Sequence, residues 1–122
     1  MVEGVMKEGD TVGIIDDLVT KFDSKLIAIK QLELELRLRK LKRVKCSDIV
    51  VLLDREQGAE KAAEDYGVKL HSLIPFMSKG LEWMKGEITN KEYEVIVDYL
   101  RDNKKYQDTN LQKNLYDIAE DN

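Results

Sequence analysis

TVGIIDDLVTKFDS, residues Thr11 to Ser24, is an apolar run that meets two adjacent carboxylates, Asp16 and Asp17, and then passes through a short polar loop into a helical pattern. Val12, Ile14 and Ile15 are β-branched and lack clean alternation, which predicts a strand over Thr11–Ile15, covered on both faces as in a parallel sheet. The strand is expected to stop at the acidic pair. Upstream, the polar lead-in Met1 to Asp10 ends in Gly9-Asp10, a turn signal. Downstream, the unbroken run Ile49-Val-Val-Leu-Leu53 predicts a second strand over Asp48–Leu53, ending at Asp54. A third, more mixed, covers Val68–Ile74.

Helical patterns fill the gaps between these strands. Ala59, Ala62, Ala63 and Tyr66 fall at i, i+3, i+4 and i+7, and Gly67 follows as a left-handed helix end. Met77–Lys85 reads as a helix weakened by Gly80. Thr89 and Glu92 make a capping-box pattern ahead of Tyr93, Ile96, Val97 and Leu100 at helical spacing. Between Ser24 and Val44 the stripe Leu26, Ile29, Leu32, Leu36 favours one long helix, although over 34–44 the alternation of Leu34, Leu36 and Leu38 with charges also fits a strand. The polar tail 103–122 carries Leu111, Leu115 and Ile118, one amphipathic turn or two, and reads as either a short docking helix or a frayed end. The expected class is α/β, a small parallel sheet in the order β-α-β-α-β-α-α, with a domain over 1–102 followed by the tail. Three strands leave open edges, so a homodimer or a partner chain along one edge is expected.

At 122 residues with 43% hydrophobic and 36% charged composition, the chain can bury a single core without disulfides. The net charge of −4 is unevenly placed, because Arg37, Arg39, Lys40, Lys42, Arg43 and Lys45 crowd into nine residues and leave the rest strongly acidic. That pattern argues against nucleic-acid binding, which needs a basic face across the domain. The basic segment 37–45 reads as a solvated helix face, or as a contact for an anion or an acidic partner. A lone Cys46 excludes a disulfide framework and fits a reducing compartment, and no apolar run approaches membrane-spanning length, so a cytoplasmic protein with no membrane contact is expected.

Ligands of open parallel sheets sit at the carboxyl ends of strands. Asp16 and Asp17 placed there can accept hydrogen bonds from vicinal hydroxyls of a ribose or hold a hydrated Mg²⁺; equally, one can cap the loop while the other is solvated. The loop Thr20-Lys21-Phe22-Asp23-Ser24 opens a helix, where unpaired N–H groups and the helix dipole favour phosphate. It lacks glycine, carries bulky Phe22, and places Asp23 near any phosphate oxygens. Asp23 as the helix N-cap is the preferred reading, its own oxygen filling the phosphate position. His71 reads as a packed or hydrogen-bonded strand residue, and Met77, Trp83 and Met84 as core.

VEGVMKEGDTVGIIDDLVT, followed by DIVVLLDREQGAEKAAEDYGVKLHSLIPF, resembles the C-terminal half of orotate phosphoribosyltransferase, including the form fused to a decarboxylase in UMP synthase. The likeness runs over about residues 2–102, with DREQGA and KLHSL its most specific segments. It implies a truncated type I phosphoribosyltransferase core and a family reaction joining orotate to phosphoribosyl pyrophosphate with Mg²⁺. By position, Asp16 and Asp17 match the pair that touches the ribose and, indirectly, the metal. Thr20 and Arg55 match residues contacting orotate or the base, and Thr20 to Ser24 match the 5′-phosphate loop. Against the family, Lys21, Phe22 and Asp23 replace small residues, and about seven extra residues, nearly two helical turns, fall in the basic segment, which fits an extended helix. The matched part lacks the family's first half, with its pyrophosphate and mobile catalytic loops.

The expectation is a chain that does not catalyse alone but retains binding of phosphoribosyl pyrophosphate, orotate or a nucleotide. One half of a split enzyme and a non-enzymatic interaction scaffold are the alternatives. A phosphorelay receiver also places acids at strand ends, but Asp54 is followed by Arg55-Glu56-Gln57-Gly58, and no suitably placed lysine follows the third strand.

Overall fold

The computed structural model describes residues 4–120, with side chains to residue 116. Met1 to Glu3 of the lead-in, residues 121–122 of the tail and the side chain of Ile118 lie outside the described residues. The elements run β1 (Thr11–Val19), α1 (Asp23–Leu38), β2 (Lys45–Asp54), α2 (Ala59–Tyr66), β3 (Lys69–Pro75), a π-type turn (Phe76–Gly80), α3 (Leu81–Met84), α4 (Asn90–Arg101), a 3-10 turn (Lys105–Gln107) and α5 (Thr109–Glu120). Two compact units divide the chain, Met1–Phe76 and Met77–Asn122. The second unit takes in α3, α4 and the tail.

In the first unit the three strands form a parallel sheet in the order β1-β2-β3. The expected α/β class and small parallel sheet are observed. The strand does not stop at the acidic pair: β1 continues to Val19, because Asp16 pairs with Val51, Leu18 with Leu53 and Val19 with Asp54. Backbone pairing with β2 and burial of Val19, 2% exposed, carry the strand past two carboxylates that β-propensity alone disfavours.

Right-handed crossovers taken twice in the same direction put both connecting helices on one face of the sheet. The core reflects this. Ile29 of α1 and Ala59 and Ala63 of α2 pack with Ile49, Val51, Val19, Phe22 and Val68. The opposite face was expected to be covered and is open, with Ile15 84%, Val50 45%, Leu52 53% and Leu73 73% exposed. Consecutive apolar residues in β2 thus end on a buried and an open face alternately.

One helix does span most of 24–44, and Ile29, Leu32 and Leu36 line its buried side. It is shorter than expected. The chain leaves α1 at Leu38 and turns through Lys40 at φ 58°, so the basic segment straddles a helix end, a loop and the first residue of β2 instead of extending the helix. Gly67 closes α2 at φ 83°, as its position predicts.

In the second unit, the Thr89 side chain accepts from Glu92 N while the Glu92 carboxylate accepts from Thr89 N at 2.7 Å, the reciprocal box that starts α4. The Met77–Lys85 helix is interrupted, its first part taken by the π-type turn that ends at Gly80. Trp83, expected in the core, is 64% exposed. No helix of the described residues is long and apolar enough to cross a membrane.

Candidate functional site

Two loops follow the carboxyl ends of neighbouring strands. Thr20 leaves β1 directly after Val19, Arg55 leaves β2 directly after Asp54, and Val19 and Asp54 are partners in the ladder. Arg55 N then donates to Val19 O at 3.0 Å, carrying the contact one residue beyond the sheet. Of the residues singled out in the sequence, the fold brings together Thr20, the Lys21–Ser24 loop and Arg55. The Arg55–Gly58 loop is tightly wound. Glu56 N donates to Asp54 Oδ1 at 2.8 Å, and both Glu56 (φ 57°) and Gly58 (φ 99°) are left-handed. A left-handed glutamate is a strained conformation of the kind held at binding loops. Asp54 is 6% exposed, and its burial pushes its carboxyl up from the ordinary range, against the lowering bond from Glu56 N.

The first acid of the pair is tied to this corner through Lys25, whose Nζ bonds both Asp16 and Ser24 Oγ. Alternation along β1 sends Asp16 and Asp17 to opposite faces of the sheet. Asp16 faces the helices and pairs with Lys25 Nζ, and its other oxygen accepts from Asp17 N at 2.9 Å. The Lys25 bond, then the Asp17 N–H, hold the Asp16 carboxyl below its usual range. Lys25 is 4% exposed and also donates to Leu18 O at 2.9 Å and Ser24 Oγ at 3.4 Å. It occupies the buried stripe of α1 with Ile29, Leu32 and Leu36, spaced i, i+4, i+7 and i+11. That spacing is the one signal by which the sequence could have marked it, a cation in register with apolar residues. Asp16 is tied to an ammonium, and strand alternation places Asp17 on the other face. Among the described residues there is no group of three or more His, Cys, Asp or Glu side chains that could hold a metal.

The phosphate-loop residues also sit differently from expectation. Asp23 is the first residue of α1, not its N-cap; Phe22 holds the cap position at φ −109°, and no side chain caps the helix. Phe22 is 6% exposed and tilts against Tyr66 with ring centroids 6.3 Å apart. It turns into the core and so does not fill the loop mouth. Lys21, Asp23 and Ser24 are exposed and Thr20 half-buried. On the open face, His71 Nε2 lies 2.8 Å from Asp48 Oδ1, the hydrogen-bonded strand role anticipated for it.

No protein-family model matches the chain. It is 32% identical over 101 residues to the uridine 5′-monophosphate synthase of Caenorhabditis elegans, a match covering 82% of this chain and 19% of that protein. It is 38% identical over 73 residues to the orotate phosphoribosyltransferase of Pyrococcus furiosus, covering 60% of this chain and 36% of the relative. Among solved structures, UMP synthase of Leishmania donovani superposes with a TM-score of 0.65 at 30% identity, over 80% of this chain and 21% of that one. The chain holds a partial orotate phosphoribosyltransferase-like region. It spans less than half the length of these relatives.

Proposed function

We propose that the chain binds a phosphoribosyl ligand, either phosphoribosyl pyrophosphate or a pyrimidine nucleotide, at the joined ends of β1 and β2, and does not carry out transfer by itself. The observation that carries the reading is the Arg55 N to Val19 O bond, which sets the Thr20–Ser24 loop beside the Arg55–Gly58 loop in a chain similar to orotate phosphoribosyltransferases over much of its length. The uncapped start of α1 supplies N–H donors toward a phosphate. The neutralisation of Asp16 by Lys25 and the absence of glycine from the loop support binding without turnover. Mg²⁺ enters this reading only as counter-ion to the ligand's pyrophosphate. Cytoplasmic residence is part of it, supported by the single free Cys46.

Calorimetric titration with phosphoribosyl pyrophosphate, orotate and OMP in Mg²⁺ tests it. Heat is expected with phosphoribosyl pyrophosphate or OMP and is reduced by Thr20→Val; no heat from any of the three at millimolar ligand overturns binding. OMP formed from orotate by the chain alone overturns the second half of the reading.

A second reading, one half of a two-chain enzyme or scaffold, is favoured by the open apolar face of the sheet. There a further chain, a second copy or another polypeptide, covers Ile15, Val50, Leu52 and Leu73. Purification from the native source is expected to retain that chain, and recovery as a bare monomer counts against it.

A further inference from the structure

The basic stretch, unused by the reading above, wraps a pocket of about 620 Å³ at the opposite end of β2. The apolar Leu36, Leu41 and Val44 line it together with Arg37, Lys40 and Lys42, and among the described residues Glu33 is the carboxylate in its lining. The other cations of the stretch are treated differently. Arg39 is held by Glu35 at 2.8 Å and by Gly4 O at 2.7 Å, while Arg43 is held by Glu8 at 3.4 Å. Glu8 also takes the backbone N–H groups of Lys42 and Arg43, at 2.8 and 3.0 Å, which fixes the loop. Neighbouring carboxylates thus restrain Arg39 and Arg43, whereas among the described residues the side chains of Arg37, Lys40 and Lys42 have no anionic partner.

The loop geometry adds an independent observation. Leu41 N donates to Leu36 O at 2.9 Å and Lys40 N to Arg37 O at 3.1 Å, the paired bonds of a Schellman helix end. The left-handed position of that motif belongs by default to glycine, yet Lys40 holds it at φ 58°. The motif also turns the carbonyls of Leu36 and Arg37 inward onto N–H groups, so the negative end of α1 is partly satisfied where an anion would lie. A strained lysine kept over a pocket is an outlier pointing to function.

The geometry points to a binding site for a nucleoside di- or triphosphate, with the ring on Leu36, Leu41 and Val44 and the phosphates on Arg37, Lys40 and Lys42. The pocket is an open depression on the surface, so a ligand would lie against it with one side in water. Three cations call for more than one phosphoryl charge, and the apolar residues call for a ring. Glu33, whose carboxylate accepts from the Tyr66 hydroxyl at 3.3 Å, has a second oxygen for a ring amine or ribose hydroxyl. The site is separate from the β1–β2 corner, since the ten-residue strand β2 lies between them, about 30 Å in length.

The experiment is amide NMR titration of the whole chain with ADP, UDP, pyrophosphate and adenosine, without Mg²⁺. ADP or UDP is expected to shift residues 33–44 and to bind tighter than pyrophosphate or adenosine alone. Lys40→Gly is expected to weaken nucleotide binding roughly five- to tenfold while raising the thermal midpoint, and Arg37→Gln with Lys42→Gln to weaken it further. Unchanged affinity in Lys40→Gly, pyrophosphate as tight as ADP, or shifts at 33–44 produced by a Glu-rich peptide but not by nucleotides each overturn the proposal. Shifts confined to residues 20–25 and 55–58 also overturn it, while leaving the β1–β2 reading intact.

Discussion

A buried ammonium is tolerated only where protein oxygens replace its lost water. Lys25 obtains them from Asp16, Leu18 O and Ser24 Oγ, which makes the first acid of the pair a structural partner and leaves the second on the other face. The two halves of the ion pair are unequal. Lys25→Met replaces a buried cation with an aliphatic chain of similar length and leaves Asp16 half-solvated, so its cost in urea denaturation is expected to stay within about 1 kcal/mol. Asp16→Ala leaves the ammonium buried on neutral oxygens and is expected to cost more, the reverse order overturning the assignment. The pair also sets a pH dependence. Because the folded Asp16 carboxyl titrates below 3.8, its stabilisation is complete above that value and is lost as pH falls through the lowered one. Asp54, raised by burial, has the opposite sign: its contribution favours the fold at low pH and is lost as pH rises through the raised value. Lys25→Met is therefore expected to lose less stability than wild type on acidification below about pH 4, measured by denaturation midpoints across pH 2–6.

At the scale of elements, what was legible in the sequence was what local chemistry decides. Thr89 and Glu92 form the box that their spacing announces, and Gly67 takes the left-handed helix end. Thr89→Ala removes the acceptor for Glu92 N and is expected to cost about 1 kcal/mol, read as a lower thermal midpoint with reduced helical circular dichroism; no change would show that α4 does not depend on its cap. Boundaries decided by distant partners were not legible. β1 outruns its acidic pair because Leu18 and Val19 find Leu53 and Asp54 across the ladder, contacts that no pattern inside Thr11–Val19 records. The end of α1 escaped notice for the opposite reason, since its closing motif uses Lys40 where glycine would have advertised it. In the candidate site, the sequence marked Thr20 and Arg55 only through the family resemblance, whereas their closeness across the β1–β2 ladder, the left-handed Glu56 and the buried Lys25 depend on contacts that no local pattern records.

Across the first unit, the order β1-β2-β3 with both crossovers on one side accounts for a sheet buried on one face only. Composition does not foretell this. Ile49 to Leu53 is apolar at every position, as in a strand written for two covered faces, and the likeness carried by DREQGA and KLHSL concerns loops and β3 rather than the cover. Val50 and Leu52 on β2, with Ile15 and Leu73 on its neighbours, form an apolar row in water, each expected to bind a hydrophobic dye or another apolar surface. Replacing Leu52 and Leu73 together by lysine places two charges on side chains already 53% and 73% exposed, so the denaturation midpoint is expected to hold within about 0.5 kcal/mol for each change. Dye fluorescence in the folded state and concentration-dependent sedimentation are both expected to fall. A double variant that unfolds would mean that the face is packed in solution, and one that folds but still binds dye and self-associates would move the sticky surface elsewhere, with the exposed Leu34 and Leu38 of α1 next to be tested.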